Sequence, residues 1–480
     1  MNTKNFYLTT TLPYVNAPLH LGHALEFVRA DAIARYKKLT GFDVFFNTGT
    51  DEHGAKIYEK AIQNGLTPQE FTDKGFNEFK ESIKMLGMSN DVHFIRTTDE
   101  RHIKSAQEFW KKCNDAGYIY KKNYSIKYCV GCEEEKSDSE LENGRCPIHL
   151  DRELELIEEE NYFFRYSQFT EKLLSFYEEN PNFIIPDFRF NEVKNFVKKG
   201  LQDFSISRLK SKMPWGIEVP NDREQVMYVW FDALTNYIST LGWPDIDGDF
   251  QKYWVNGNPT QYCGKDNTRF QGAMWQAMLI GAGVPNSRQI VVNGFITGEG
   301  GIKMSKSVGN VVDPREIIKE YGTDALRYFL LGEVGSFEDS PFTIERFKEA
   351  YNAKLANGLG NLASRVLALS EKYLDKCPLI SETSDFKEYF AIYETFDLKK
   401  AVDYVWEKIG VLDKMIQDTE PFKLVKKDEK AGKELISKMC LDLYTIARML
   451  NPIMPETNER LKKLIRDNKK PTTPLFPRRD

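Results

Sequence analysis

Apolar residues open the chain as a run, Phe6-Tyr7-Leu8, and then recur at Leu25, Val28, Ala32, Tyr36 and Leu39. The run reads as a strand. Steps of three and four read as a helix. Pro13 and Pro18 place a turn between them, and Gly41 is positioned to stop the helix. A second apolar run, Val44-Phe45-Phe46, passes through a turn over 47–54 into a helix over 55–64. Strand, helix, strand, helix implies a parallel sheet with right-handed crossovers. Ligands bind at the carboxyl ends of such strands. Helical stretches follow over 167–179 and 191–201. A strand over 226–231 then runs into a helix that opens at 232–237. Two more strands end in Gly264-Lys265-Asp266 and in Asn293-Gly294. This second run of strands and helices is expected to complete the first sheet. From about Thr343 only helical spacing remains, over 353–369, 388–415 and 435–450, which predicts a bundle.

Composition narrows the picture. The chain has 480 residues, too many for one core, so several domains are expected. Hydrophobic residues at 41% and aromatics at 13% fit a globular protein rather than a disordered one. No apolar run is long enough to span a membrane. The first strand begins without a leader segment, which points to the cytoplasm. The net charge of −5 hides any nucleic-acid partner in the total, so a basic surface must be local. Seven cysteines are present, three of them clustered, and disulfides are not expected in that compartment.

The chemistry concentrates in four places. His20 and His23 lie three apart at the predicted start of the first helix, where unpaired N–H groups and the helix dipole suit phosphate. Gly22 between them lets a flat base approach the backbone. Tyr14 and Asp51 each lie just past a strand end, so both are candidates to face one pocket, with a helix cap as the alternative for Asp51. Trp230 and Tyr237 are either core aromatics or walls for an apolar ligand. Cys129, Cys132, Cys146 and His149 form C-x2-C-x13-C-x2-H, the spacing of two turns that close a tetrahedral zinc site. Four protein ligands leave no open position, so this zinc is structural. Finally, Lys303 and Lys306 fall in Lys-Met-Ser-Lys-Ser between glycines. A pair of lysines on a loop that glycines allow to move can neutralise a triphosphate as pyrophosphate leaves.

His-Leu-Gly-His at 20–23 followed by Lys-Met-Ser-Lys-Ser at 303–307 resembles the class I aminoacyl-tRNA synthetases. Within them the chain is most similar to the methionyl family. That match rests on Leu12-Pro-Tyr-Val-Asn16, Gly49-Thr-Asp-Glu-His-Gly54, the zinc knuckle and Glu159-Glu-Asn-Tyr-Phe-Phe164. It also rests on Ser205-Ile-Ser-Arg208, Tyr228-Val-Trp-Phe-Asp-Ala233 and Pro474-Leu-Phe-Pro477. It covers essentially the whole chain. The resemblance implies an α/β protein: a doubly wound, Rossmann-type nucleotide-binding domain, an inserted zinc-binding connective domain and a helical anticodon-binding bundle. The expected limits are 1–115 and 223–298 for the two halves of the catalytic domain and 116–222 for the insertion. The second-signature loop and stem-contact region take 299–345, and the bundle 346–480.

The resemblance also implies an activity and roles. L-methionine would be activated by ATP, with Mg2+ on the phosphates, and passed to initiator and elongator tRNA(Met). His20, His23, Lys303 and Lys306 would stabilise the activated phosphate, with Gly22, Gly264 and Asp266 around the nucleotide. Leu12, Tyr14, Asp51, Trp230, Ala233 and Tyr237 would hold methionine, Asp51 on its ammonium group. Asn267 and Gln271 stand where the family usually has an aliphatic residue and a histidine, which predicts a more polar pocket lining. Asn361, Arg365 and Phe422 match anticodon-contacting positions, with Phe in place of the usual Trp. Phe422 could also be plain core. A lysine run at 423, 426, 427, 430 and 433 could track phosphates or be a solvated face. The chain ends soon after Phe476 without the further oligonucleotide-binding domain that dimerises some relatives, so a monomer is expected.

Three rivals are weaker. The isoleucine, valine and leucine enzymes carry a large editing insertion, and the one here is zinc-sized. The cysteine enzyme needs an open zinc position. A tRNA-binding protein without catalysis would have no use for the two histidines and two lysines.

Overall fold

The computed structural model describes residues 4–132, 134–136, 140–302, 312–376, 378 and 386–479. Six strands make the central sheet: β1 (Asn5–Thr9), β2 (Asp43–Thr50), β3 (His93–Arg96), β4 (Ile184–Ile185), β5 (Pro259–Gly264) and β6 (Gln289–Asn293). Their order is β3-β2-β1-β5-β6-β4, and every pairing is parallel. Successive side chains on a strand point to opposite faces. Phe6 and Leu8 therefore enter one core, shared with helix α1 (Leu21–Leu39) and the C-terminal helices, while Tyr7 enters a second core on the other side. Both faces are covered, as a parallel sheet requires.

The two runs of strands do meet in one sheet, with β1 and β5 side by side at its centre. Several local expectations change. Residues 47–50, expected in a turn, extend β2 to Thr50. The expected strand over 226–231 is the end of another strand, Asp222–Met227, followed by a helical turn, Val229–Ala233. That strand pairs antiparallel with Ser207–Leu209 and Glu218–Val219, outside the central sheet. A short apolar run does not distinguish a buried strand from a buried helical turn. The expected limit between 222 and 223 thus falls inside a strand. Residues 184–185, expected in the insertion, form the edge strand β4.

Of the zinc-spaced cysteines, Cys129 ends the first strand of a separate antiparallel sheet of Ile119–Cys129, Glu134–Lys136, Glu155–Phe164 and Phe204–Ser205, and Cys132 and Cys146 lie in its connections. Beyond Thr343 the described chain is helical apart from its connections and closing tail, as expected, but the helix expected over 388–415 is two. Lys387–Tyr393 ends before Phe396, whose φ of 58° breaks the run. Asp397 then caps Leu398–Thr419 by accepting from the Lys400 N–H.

A buried guanidinium joins bundle to sheet. Arg327 donates to Asp31 of α1 at 2.8 Å, to the Pro452 carbonyl at 3.0 Å, to the Ile453 carbonyl at 3.0 Å and to the Leu86 carbonyl at 3.1 Å. Arg35 also pairs with Asp31 at 2.7 Å. These partners hold the Asp31 carboxyl below the usual range against the opposing push of its burial. Among the described residues no helix is long and apolar enough to cross a membrane.

Candidate functional site

A cavity of 380 Å³ opens at the carboxyl ends of β1 and β5. It is lined by Leu12, Tyr14, His20, Gly22, His23, Asp51, Trp230, Ala233, Tyr237, Gly264, Asp266, Asn267 and Gln271. Every described residue that the sequence suggested for the nucleotide or the amino acid is therefore in one place. Lys303 and Lys306 lie outside the described residues.

The nucleotide end is built by the start of α1. His20 is its N-cap. His20 Nδ1 accepts the Gly22 N–H at 3.1 Å, and His23 Nδ1 accepts the His20 N–H at 3.4 Å. The rings stack 3.9 Å apart at 22°. This revises the expectation that bare N–H groups meet a phosphate, because two of them are taken by the imidazoles. With Nδ1 accepting, each neutral ring carries its proton on Nε2. The helix end thus offers its donors through two parallel rings. Gly22 is needed for a sharper reason than base approach. A Cβ there would lie 2.9 Å from His20 Cε1 and push the ring out of its cap.

Asp51 follows β2 and bridges to Tyr14, with its N–H on the Pro13 carbonyl at 3.0 Å. It does not cap the next helix, Ala55–Gln63, whose N-cap is Gly54. Only 6% of Asp51 is exposed, so its carboxylate suits a cation that enters the cavity. Trp230 lies flat on Phe270, with centroids 3.9 Å apart and an angle of 4°. Both are flat apolar surfaces, so the wall beside Ala233 is one for an apolar side chain. At its base Gln271 donates to Tyr237 Oη at 2.9 Å, and Gln261 donates to Gln271 at 3.5 Å. Gln271 is 1% exposed. Its amide bonds these two protein partners while the residue still lines the cavity, so the expected polar lining is held in place there.

Sequence reading missed Thr11 and Glu26, which also line the cavity. Glu26 accepts the Thr11 N–H at 2.7 Å and the Thr11 hydroxyl at 2.5 Å. The signal was present, since Glu26 lies three residues after His23 and four after Gly22, on the same helical face. Burial raises its carboxyl to about 8, offset in part by Thr11 and by the Gly264 amide, and reinforced by Asp266. At neutral pH it is protonated and adds no negative charge where phosphates would lie.

The folded pKa of Glu26 exceeds the unfolded one, so the folded state binds the extra proton between pH 4.5 and about 8. Its stability contribution is full below 4.5 and is lost as pH rises through 8. Glu26→Gln keeps the acceptor oxygen and removes this dependence. Thermal unfolding should show wild type losing a few kcal/mol more than the variant between pH 5 and pH 8.5. Parallel curves would mean that Glu26 titrates normally.

The four expected zinc ligands are gathered away from this cavity. Ligand atoms of Cys129, Cys132, Cys146 and His149 all lie within 4.8 Å of one another. His149 Nδ1 is 3.7, 3.3 and 3.9 Å from the Cys129, Cys132 and Cys146 sulfurs, and the Cys132 and Cys146 sulfurs are 3.5 Å apart. Zinc about 2.3 Å from each sulfur puts tetrahedral sulfurs about 3.8 Å apart, so the set fits this ion. Gly131 is required here, because a Cβ would sit 2.4 Å from the His149 ring. Its carbonyl accepts from Lys56 at 2.7 Å, tying the knuckle to the helix Ala55–Gln63. Cys146→Ser should lower bound zinc from one equivalent to well under half on metal analysis after dialysis. A full equivalent retained would remove Cys146 from the ligand set.

The anticodon candidates lie on the bundle, not at the cavity. Asn361 opens the helix Asn361–Tyr373 and is exposed. Arg365, one turn on, pairs with Asp413 at 2.5 Å. Phe422 is 43% exposed, so it is not plain core. Of the nearby lysines, Lys423 pairs with Glu420 and Lys433 with Glu429.

Comparison with known proteins bears on the whole arrangement. The sequence profile of the family described as "tRNA synthetases class I (M)" matches residues 6–155 and 131–367. A methionine–tRNA ligase of Thermotoga maritima is 40% identical over 97% of this chain and 76% of its own length. One of Brucella suis is 38% identical over 96% and 92%. Methionyl-tRNA synthetase of Mycobacterium tuberculosis, solved with methionyl-adenylate, superposes with a TM-score of 0.91 at 35% identity, covering 99% of this chain and all of the other.

Proposed function

Since this chain belongs to the methionyl family of class I tRNA synthetases, we propose that its central cavity joins L-methionine to ATP and delivers the amino acid to tRNA(Met), initiator and elongator alike. The chain is a methionine–tRNA ligase. The observation that carries the residue assignments is the convergence in one cavity of a His-capped helix start, a buried carboxylate and an aromatic wall.

The chemistry follows from those groups. The methionine carboxylate is ionised at neutral pH, so its attack on the α-phosphate needs no general base. The chain supplies position and charge. His20 and His23 donate to phosphate oxygens, and Lys303 and Lys306 neutralise the departing pyrophosphate. Gly264 and Asp266 hold the ribose side. Asp51 takes the ammonium group, while Leu12, Tyr14, Trp230, Ala233 and Tyr237 enclose the side chain, with Asn267 and Gln271 completing its pocket. A thioether packs well against such rings. Mg2+ would travel with ATP and screen its phosphates. One structural zinc held by Cys129, Cys132, Cys146 and His149 would stabilise the inserted sheet. Asn361, Arg365 and Phe422 would meet the anticodon, the exposed ring of Phe422 by stacking. We read the chain as a cytoplasmic monomer.

The direct test is ATP–pyrophosphate exchange by the purified chain with a panel of amino acids. Exchange should strongly favour methionine. Preference for another amino acid would overturn the pocket assignment. Silence from folded protein with every amino acid would overturn the activity.

A further inference from the structure

Behind the cavity, out of contact with it, lies a buried carboxylate between two imidazoles. Asp232 is fully buried. Its Oδ2 is 3.0 Å from His53 Nδ1 and its Oδ1 is 3.4 Å from His102 Nε2. His102 Nδ1 lies 2.9 Å from Ser239 Oγ. His53 and His102 are themselves 4% and 0% exposed.

What the cluster connects is informative. Asp232 sits on the helical turn Val229–Ala233, between the cavity residues Trp230 and Ala233. His53 is two residues from Asp51 and is fixed by a second fastening of the same loop. Trp215 donates to the Glu52 carbonyl at 2.6 Å and accepts from the Gly54 N–H at 3.3 Å. Ser239 ends the short helix Asn236–Ser239, which carries Tyr237. One carboxylate therefore fastens the loop of Asp51, the turn of Trp230 and, through His102, the helix of Tyr237. Those are the three segments that would grip the ammonium group and the side chain of one amino acid.

Apolar packing could fill the same volume and be at least as stable, since burying a charge is unfavourable unless it is fully bonded. What apolar packing does not supply is direction. Hydrogen bonds fix the distance between segments to a few tenths of an ångström. Burial pushes the Asp232 carboxyl up, but His53 and His102 outweigh it, so it stays ionised and keeps both bonds.

We propose that Asp232 is a positioning residue that sets the separation of Asp51 from the Trp230–Tyr237 wall, and with it the fit of the amino acid. This rests on reading the cavity as the methionine site. The two are separable, because wild-type exchange with methionine tests that reading alone.

The test uses the full chain, with methionine and ATP varied separately in ATP–pyrophosphate exchange and thermal unfolding as the check on folding. His53→Leu removes the donor to Asp232. It should raise the KM for methionine about tenfold or more, with the KM for ATP and kcat within about threefold. His53→Asn places an N–H near the position of Nδ1 and should return the methionine KM to near wild type. Asp232→Leu should behave as His53→Leu does. Asp232→Asn, which can accept from His53 and donate to His102, should rescue most of the effect. If Asp232→Leu does not fold, the two His53 variants decide alone. An unchanged methionine KM in folded His53→Leu would overturn the proposal. So would equal losses in the methionine KM, the ATP KM and kcat, which mark general loosening.

Discussion

Asp51→Asn is expected to reduce kcat/KM for methionine in ATP–pyrophosphate exchange by about a hundredfold or more. The reason is burial. Asp51 is 6% exposed and lines the cavity from the end of β2. An ammonium group held there loses water and is compensated only if an opposite charge meets it. Removing one partner of such a buried pair costs about 3–5 kcal/mol, a factor of roughly 150 to several thousand in binding. Asparagine keeps the size and the acceptor oxygen, and the backbone bond from Asp51 to Pro13 does not involve the side chain. The fold and the KM for ATP should therefore hold. The loss should appear mainly as a raised methionine KM, because the ammonium group is the same in ground and transition states. A methionine KM within about threefold of wild type would place the ammonium group elsewhere.

Lys306→Ala is the second large effect, and it should fall on kcat. The charge that Lys306 meets grows as pyrophosphate separates, so its interaction is stronger in the transition state than in the bound substrate. A cation supplied to a transferring phosphoryl group is worth about 10³–10⁵ in rate in the best-studied cases. On the proposed assignment the load would be shared with Lys303, His20 and His23, so a loss of about 10²–10³ in adenylate formation is expected. Methionine binding measured without ATP should be unchanged. Near-normal single-turnover adenylate formation by the variant would end this assignment. The pair would separate two roles: Asp51 would hold the ammonium group of the amino acid, and Lys306 would act on the phosphates.

Much of the site was legible before any fold was known, because its signals are local. His20, Gly22 and His23 announce themselves by spacing at a helix start, and the four zinc ligands by spacing across two turns. Even so, the local reading was incomplete. It placed bare N–H groups at the start of α1, where the structure shows two imidazoles capping it. It read 226–231 as strand, because apolar content alone does not separate a strand end from a buried helical turn. It took Gln271 as a polar lining without its partners: Gln271 lines the cavity while bonding Tyr237 and Gln261.

The sequence by itself determined the alternation of strand and helix, the helical C-terminus, the grouping of Cys129, Cys132, Cys146 and His149 and the order of the two signatures. Periodicity and short spacings are properties of neighbouring residues, so a linear reading captures them. Only the tertiary structure decided that β5 lies beside β1, since sheet order depends on which distant strands can bury both faces together. It alone decided that the Glu26 carboxyl is pushed up to about 8, because desolvation is set by everything packed around a side chain. And it alone brought Asp232 to His53, 179 residues away. A contact of that separation leaves no trace in local pattern, and it forms only when folding encloses both side chains together.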